Sequence, residues 1–151
     1  MDNSEVVDVL NDLIETSKDG EYGFATCAER ATSVELKQIF LRRASDCARA
    51  ASELQAIVVE YGGKAEDSGT VAGAVHRGWV SVRDALSGTS DQAILNECER
   101  GEDVALSRYR KAMKREELPA TVRQVVERQM AGAQANHDQI KALRDGLRAR
   151  T

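Results

Sequence analysis

Residues 4–31 read SEVVDVLNDLIETSKDGEYGFATCAERA. Val6, Leu10, Leu13, Ser17, Phe24, Ala28 and Ala31 recur at helical spacing, so the segment reads as one long amphipathic helix. Glu21 falls on the same stripe, where a core leucine would be expected, with Gly20 and Gly23 beside it. A glycine inside a helix costs up to about 1 kcal/mol relative to alanine. Two of them imply close approach of a neighbouring helix, or room beside a polar group. Glu102 repeats the pattern further along, between Leu95, Cys98, Ala105 and Tyr109. A buried carboxylate is costly unless it is paired or bound to a metal. Two of them on facing helices outline a polar site inside a helical bundle.

The rest of the chain fits such a bundle. Thr32 and Glu35 are spaced as a capping box for a second helix. Its stripe is Leu36, Phe40, Arg43, Cys47, Ala50, Leu54, Ile57 and Tyr61, and Gly62-Gly63 ends it. A polar loop at 64–69 leads to a shorter helical pattern with Val71, Val75, Trp79, Val82 and Leu86. Thr89, Ser90 and Asp91 offer caps for a third long helix to about Arg115. Leu118-Pro119 breaks the chain before a fourth, over 120–148, with Val122, Val126, Gln129, Ala133, His137, Ile140 and Leu147 on its stripe. No strand pattern is seen. Two long-helix hairpins joined by a connection long enough to return along the bundle make an all-α, antiparallel four-helix bundle. Its crossover would hold a short extra helix, and the whole of 1–151 would form a single domain.

Composition sets the class. Of 151 residues, 30% are charged and 42% apolar, with one proline, which suits a soluble helical protein. A net charge of −4 argues against a dedicated nucleic-acid binder. No apolar run is long enough to span a bilayer, and the acidic start MDNSEVVDVL is not a secretory signal. A cytoplasmic location follows. Cys27, Cys47 and Cys98 are odd in number and far apart, so they read as small buried hydrophobes rather than a zinc or disulfide framework. No triad, Cys-His or phosphate-loop motif is recognisable.

Distance from the hairpin turns places polar residues at matching depths. Glu21 and Asp46 stand level on the first hairpin. Glu99 and Glu102 stand level with Gln134 and His137 on the second. This order resembles the ferritin-like superfamily, whose di-metal members carry one Glu on each of two helices and Glu-x-x-His on each of the other two. Here the corresponding residues are Glu21, Asp46-x-x-Arg49, Glu102 or Glu99, and Gln134-x-x-His137. The stretch ARAASELQAIVVEYGG, at 48–63, also looks like the one following the Glu-x-x-His of that superfamily. More narrowly, DGEYGF (19–24), GAVHRGW (73–79), ECERGED (97–103) and NHDQIKALRDGL (136–147) resemble a family of uncharacterised bacterial four-helix-bundle proteins grouped with that fold.

The departures from the pattern are chemical. Arginine has no lone pair to give a metal, and glutamine is a weak neutral ligand. Two accounts follow. In the leading one the bundle is degenerate and non-catalytic, and Arg43 or Arg49 pairs with Glu21, Asp46 and Glu102 in a structural network. In the rival, an iron- or manganese-binding oxidoreductase or iron-handling protein takes its ligands from Glu21, Asp46, Glu99, Glu102, Gln134 and His137. Trp79 suggests a third account, a stress-associated oligomeric interaction module with the indole at the interface. A homo-oligomer is expected in any case. His76, in the same word as Trp79, has no partner at ligand spacing. The basic C-terminal residues Lys141, Arg144, Arg148 and Arg150 complement a helix dipole.

Overall fold

The computed structural model of the chain describes residues 1–65, Trp79 and 90–149. Four long helices account for nearly all of these: α1 (Asn3–Arg30), α2 (Val34–Glu60), α3 (Asp91–Met113) and α4 (Ala120–Ala149). There is no strand among the described residues. The short helix expected around 70–88, with His76, lies outside them, apart from Trp79.

Local chemistry sets the helix ends. The Asp2 side chain caps α1 by accepting from Glu5 N at 2.9 Å. Ser33, rather than Thr32, caps α2, accepting from Leu36 N. The expected Thr32–Glu35 box is replaced because the first residue of α3 takes Thr32. Asp91 accepts from Thr32 N at 2.8 Å, Thr32 Oγ1 at 2.9 Å and Ser33 N at 3.1 Å. One carboxylate thus ties the α1–α2 turn to the start of α3. At its far end α2 closes in a Schellman motif. Gly62 takes φ +76°, Gly62 N bonds Val59 O, and Gly63 N bonds Val58 O.

Each hairpin packs against itself, α1 with α2 and α3 with α4. The hairpins then join through α1 with α3, and more sparsely α2 with α4. Around the bundle the order is α1, α2, α4, α3, with α2 and α3 on one diagonal. Because α2 and α3 run parallel, the end of α2 and the start of α3 lie at opposite ends of the bundle, as in a ferritin-like fold with one long crossover.

The buried apolar residues form two clusters. One holds Phe24, Phe40, Trp79, Ile94, Cys98 and Ile140. The other holds Leu10, Leu13, Leu54, Leu106, Val122 and Val126. Between them lies a polar layer, in which Glu102 is 2% exposed. Among the described residues every buried side-chain nitrogen and oxygen has a hydrogen-bond partner, as a stable interior requires.

Trp79 explains the helix glycines. Its indole lies in the first cluster, 4% exposed, meeting the Phe24 ring edge-on with centroids 5.2 Å apart. A Cβ on Gly23 would come within 2.3 Å of the indole, as would one on Gly101. A Cβ on Gly20 would come 2.8 Å from Cys47 Sγ, so that glycine admits α2 to α1. Two glycines on facing helices open a slot, and the indole of Trp79, the residue the sequence offers as an interface candidate, fills it within this chain.

Candidate functional site

The polar layer is centred on one ion pair that crosses the bundle diagonally. Arg43, on α2, presents its guanidinium fork to Glu102, on α3. Nε donates to Oε2 at 3.0 Å and Nη2 to Oε1 at 3.2 Å. Asn136, on α4, adds a third donor, Nδ2 to Oε2 at 2.8 Å. The Arg43 cation also lies over the Phe24 ring of α1, 5.9 Å from its centroid. All four helices therefore enclose one charge pair. Burial opposes the charge on Arg43, but Cys47 and Glu102 outweigh it, so the guanidinium pKa is raised. Burial pushes the Cys47 thiol up to about 12, against the pull of Arg43.

Two turns further along α3, Tyr109 Oη donates to Gln129 Oε1 at 3.0 Å. Gln129 Nε2 then donates to Glu53 Oε1 at 2.8 Å. A cavity of about 20 Å³ adjoins the ion pair, lined by Ser17, Asp19, Arg43, Cys47, Glu102 and Tyr109 among others. That is room for about one water molecule.

The structure does not gather the sequence candidates in one place. Glu21 is half-buried, and the acid of α1 that is buried is Asp19. Asp46 and Arg49 pair with each other on the outside of α2, Arg49 being 70% exposed. Arg49 therefore takes no part in an internal network: a step of three residues from Asp46 favours the local surface pair. Both line a polar groove between α2 and α4 of about 680 Å³. Glu102 points inward. Glu99, one turn before it, turns to the α3–α4 seam and pairs with Arg144. His137 is at the same seam. Its Nε2 lies 2.7 Å from Asp103 Oδ1 and 3.9 Å from Glu99 Oε1. Gln134 Nε2 donates to Asp138 Oδ1 at 2.9 Å.

These positions decide whether a ferritin-like di-metal centre fits the interior. Such a centre needs carboxylates and imidazoles converging between the four helices. Here the one fully buried glutamate of the expected set is held by a guanidinium and an amide. Asp46 lines the groove, Glu99 and His137 stand at the seam, Gln134 bonds Asp138, and Glu21 is half-buried. The residues present do not fit that centre.

Two contributors were not foreseen. Asn136 stands three residues after buried Ala133 and four before buried Ile140, so its place on the inner stripe could have been read. Asp103 follows Glu99 by four residues on α3, which places the two side by side.

Comparison with known proteins agrees with this architecture. Residues 5–115 match the family described as a domain of unknown function, DUF2383. A search of curated proteins finds no match. Among solved structures, the chain is similar to a dodecameric thioferritin, the bacterioferritin-related protein from Bacteroides fragilis. The TM-score is 0.79 at 14% identity, over 99% of this chain and 90% of that one. At that identity the likeness shows the fold, which is ferritin-like.

Proposed function

The chain belongs to the family of the DUF2383 domain of unknown function, and on that premise we propose that it is a degenerate, non-catalytic member of the ferritin-like fold. In this reading an ion-pair network replaces a di-metal centre, and the protein acts as a single-domain, homo-oligomeric scaffold. The observation that carries the reading is the Arg43 fork on Glu102, completed by Asn136. A carboxylate with three hydrogen bonds from cationic and amide donors is satisfied without a metal.

The assembly part is supported by the dodecameric state named for the Bacteroides fragilis protein of similar fold. A reducing, cytoplasmic setting is supported by three free, buried cysteines. No helix of the described residues is long and apolar enough to cross a membrane.

The test is a thermodynamic cycle in urea together with iron loading. Arg43→Leu alone strands a buried carboxylate and should cost about 3–5 kcal/mol. Arg43→Leu combined with Glu102→Leu should recover most of that loss, because the apolar replacement removes both buried charges. Under anaerobic ferrous iron, Glu102→Gln should leave the retained iron unchanged. Iron that is held by the native chain and lost in Glu102→Gln would overturn the proposal.

A further inference from the structure

Outside the bundle interior, one group of side chains has the chemistry of a ligand set. Glu99 and Asp103 on α3 and His137 on α4 each offer a donor atom, and these atoms lie within 4.8 Å of one another. We infer that the α3–α4 seam is a binding site for a single divalent transition-metal ion of the zinc or ferrous type, held by Glu99, Asp103 and His137.

The donor set selects the class of ion. One imidazole with two carboxylates suits zinc, ferrous iron or manganese. The imidazole disfavours magnesium and calcium, which take oxygen donors. Three protein ligands leave further positions for water, as in open zinc sites. Ligand bonds of about 2.0–2.2 Å place donors roughly 3.4 Å apart in a tetrahedron. The observed 2.7 and 3.9 Å from His137 Nε2 bracket that spacing. Small side-chain adjustments, mostly by the 60%-exposed Asp103, would close it.

The groups behind the ligands point the same way. His137 Nδ1 lies 3.3 Å from Asp138 Oδ1, the arrangement in which an N–H on Nδ1 donates to a carboxylate and leaves the Nε2 lone pair for a metal. Gln134 holds that same Asp138 oxygen. On the other side, Arg144 takes Glu99 Oε2 and leaves Oε1 as the oxygen facing His137. A bare approach of 2.7 Å between Nε2 and a carboxylate oxygen requires a proton or a cation between them, since both atoms carry lone pairs. On binding, the metal ion takes that place and any proton on Nε2 leaves to solvent. The site owes nothing to Glu102 or Arg43, so it stands independently of the filled interior.

The experiment is calorimetric titration of the full, metal-stripped chain with Zn²⁺, with Mg²⁺ as competitor. One Zn²⁺ per chain is expected, undisturbed by Mg²⁺. His137→Gln and Asp103→Asn should each weaken binding by about 100-fold or more. Gln134→Ala should weaken it by about 10-fold, through Asp138 and the imidazole it orients. Asp46→Asn, at a distant surface pair, should change nothing. Circular dichroism checks that each variant folds, and Asp103 is exposed enough that its variant keeps the fold. No Zn²⁺ binding, or binding indifferent to both His137→Gln and Asp103→Asn, overturns the seam site alone. Binding that survives those two and is lost in Glu102→Gln overturns the seam site and the filled interior together.

Discussion

Burial leaves its mark on the acidity of single side chains. It raises the Cys47 thiol from an ordinary value of 9.0 to about 12. It raises the Tyr109 hydroxyl from 10.0 to about 12, with a hydrogen bond to Ser17 pulling the other way. Cys98, fully buried beside Cys27, is raised as well. The unfolded chain then loses protons from about pH 9 upward while the folded chain keeps them. The stabilisation from these groups is complete below the unfolded values and disappears as pH rises through about 12. Thermal melts from pH 8 to 12 should fall steadily, and Cys47→Ala should flatten the fall. An unchanged slope in Cys47→Ala would remove the thiol as its cause. At this scale the sequence was only partly legible. Glu102 and Arg43 each stand in the middle of an apolar stripe, but the stripes left Glu99 and Arg49 open as alternatives. Glu21 could not: Asp19, two residues earlier, takes the inner face, a rotation that a repeating pattern does not resolve. Asn136 and Asp103 gain their roles from how α4 is rotated against α3, which is a property of two helices and not of either one.

The helices themselves were legible almost end to end, since stripes and caps are local signals. The Thr32–Glu35 box is the exception, because Asp91 reaches it from the next hairpin. Helix glycines give the sharpest expectations at this level. Gly101 faces the Trp79 ring, and an added methyl would overlap a rigid indole. Gly101→Ala should therefore destabilise the fold by about 1–3 kcal/mol. Gly132, on α4, has open space where its Cβ would be. Gly132→Ala should stabilise by about 0.5–1 kcal/mol, through lost freedom of the unfolded chain. Urea midpoints measure both. A neutral Gly101→Ala would mean that the indole does not need the slot.

At the scale of the molecule, the exposed large apolar residues among those described collect on α2. Val34, Leu41 and Val59 are 68%, 55% and 66% exposed. They stand close to whole helical turns apart and so share the outer face. A second copy of the chain is the proposed cover for this face. Light scattering should then give a particle of several chains, and Leu41→Glu should reduce its mass. A native chain that runs as a monomer at micromolar concentration would refute the assembly. One feature of the interior also makes such experiments simple to follow. The chain has a single tryptophan, and it sits between α1 and α3 in contact with Phe24. An indole enclosed in hydrocarbon emits at shorter wavelength than one in water. The protein thus carries its own optical reporter, set between α1 and α3, and its colour registers whether the indole occupies that slot.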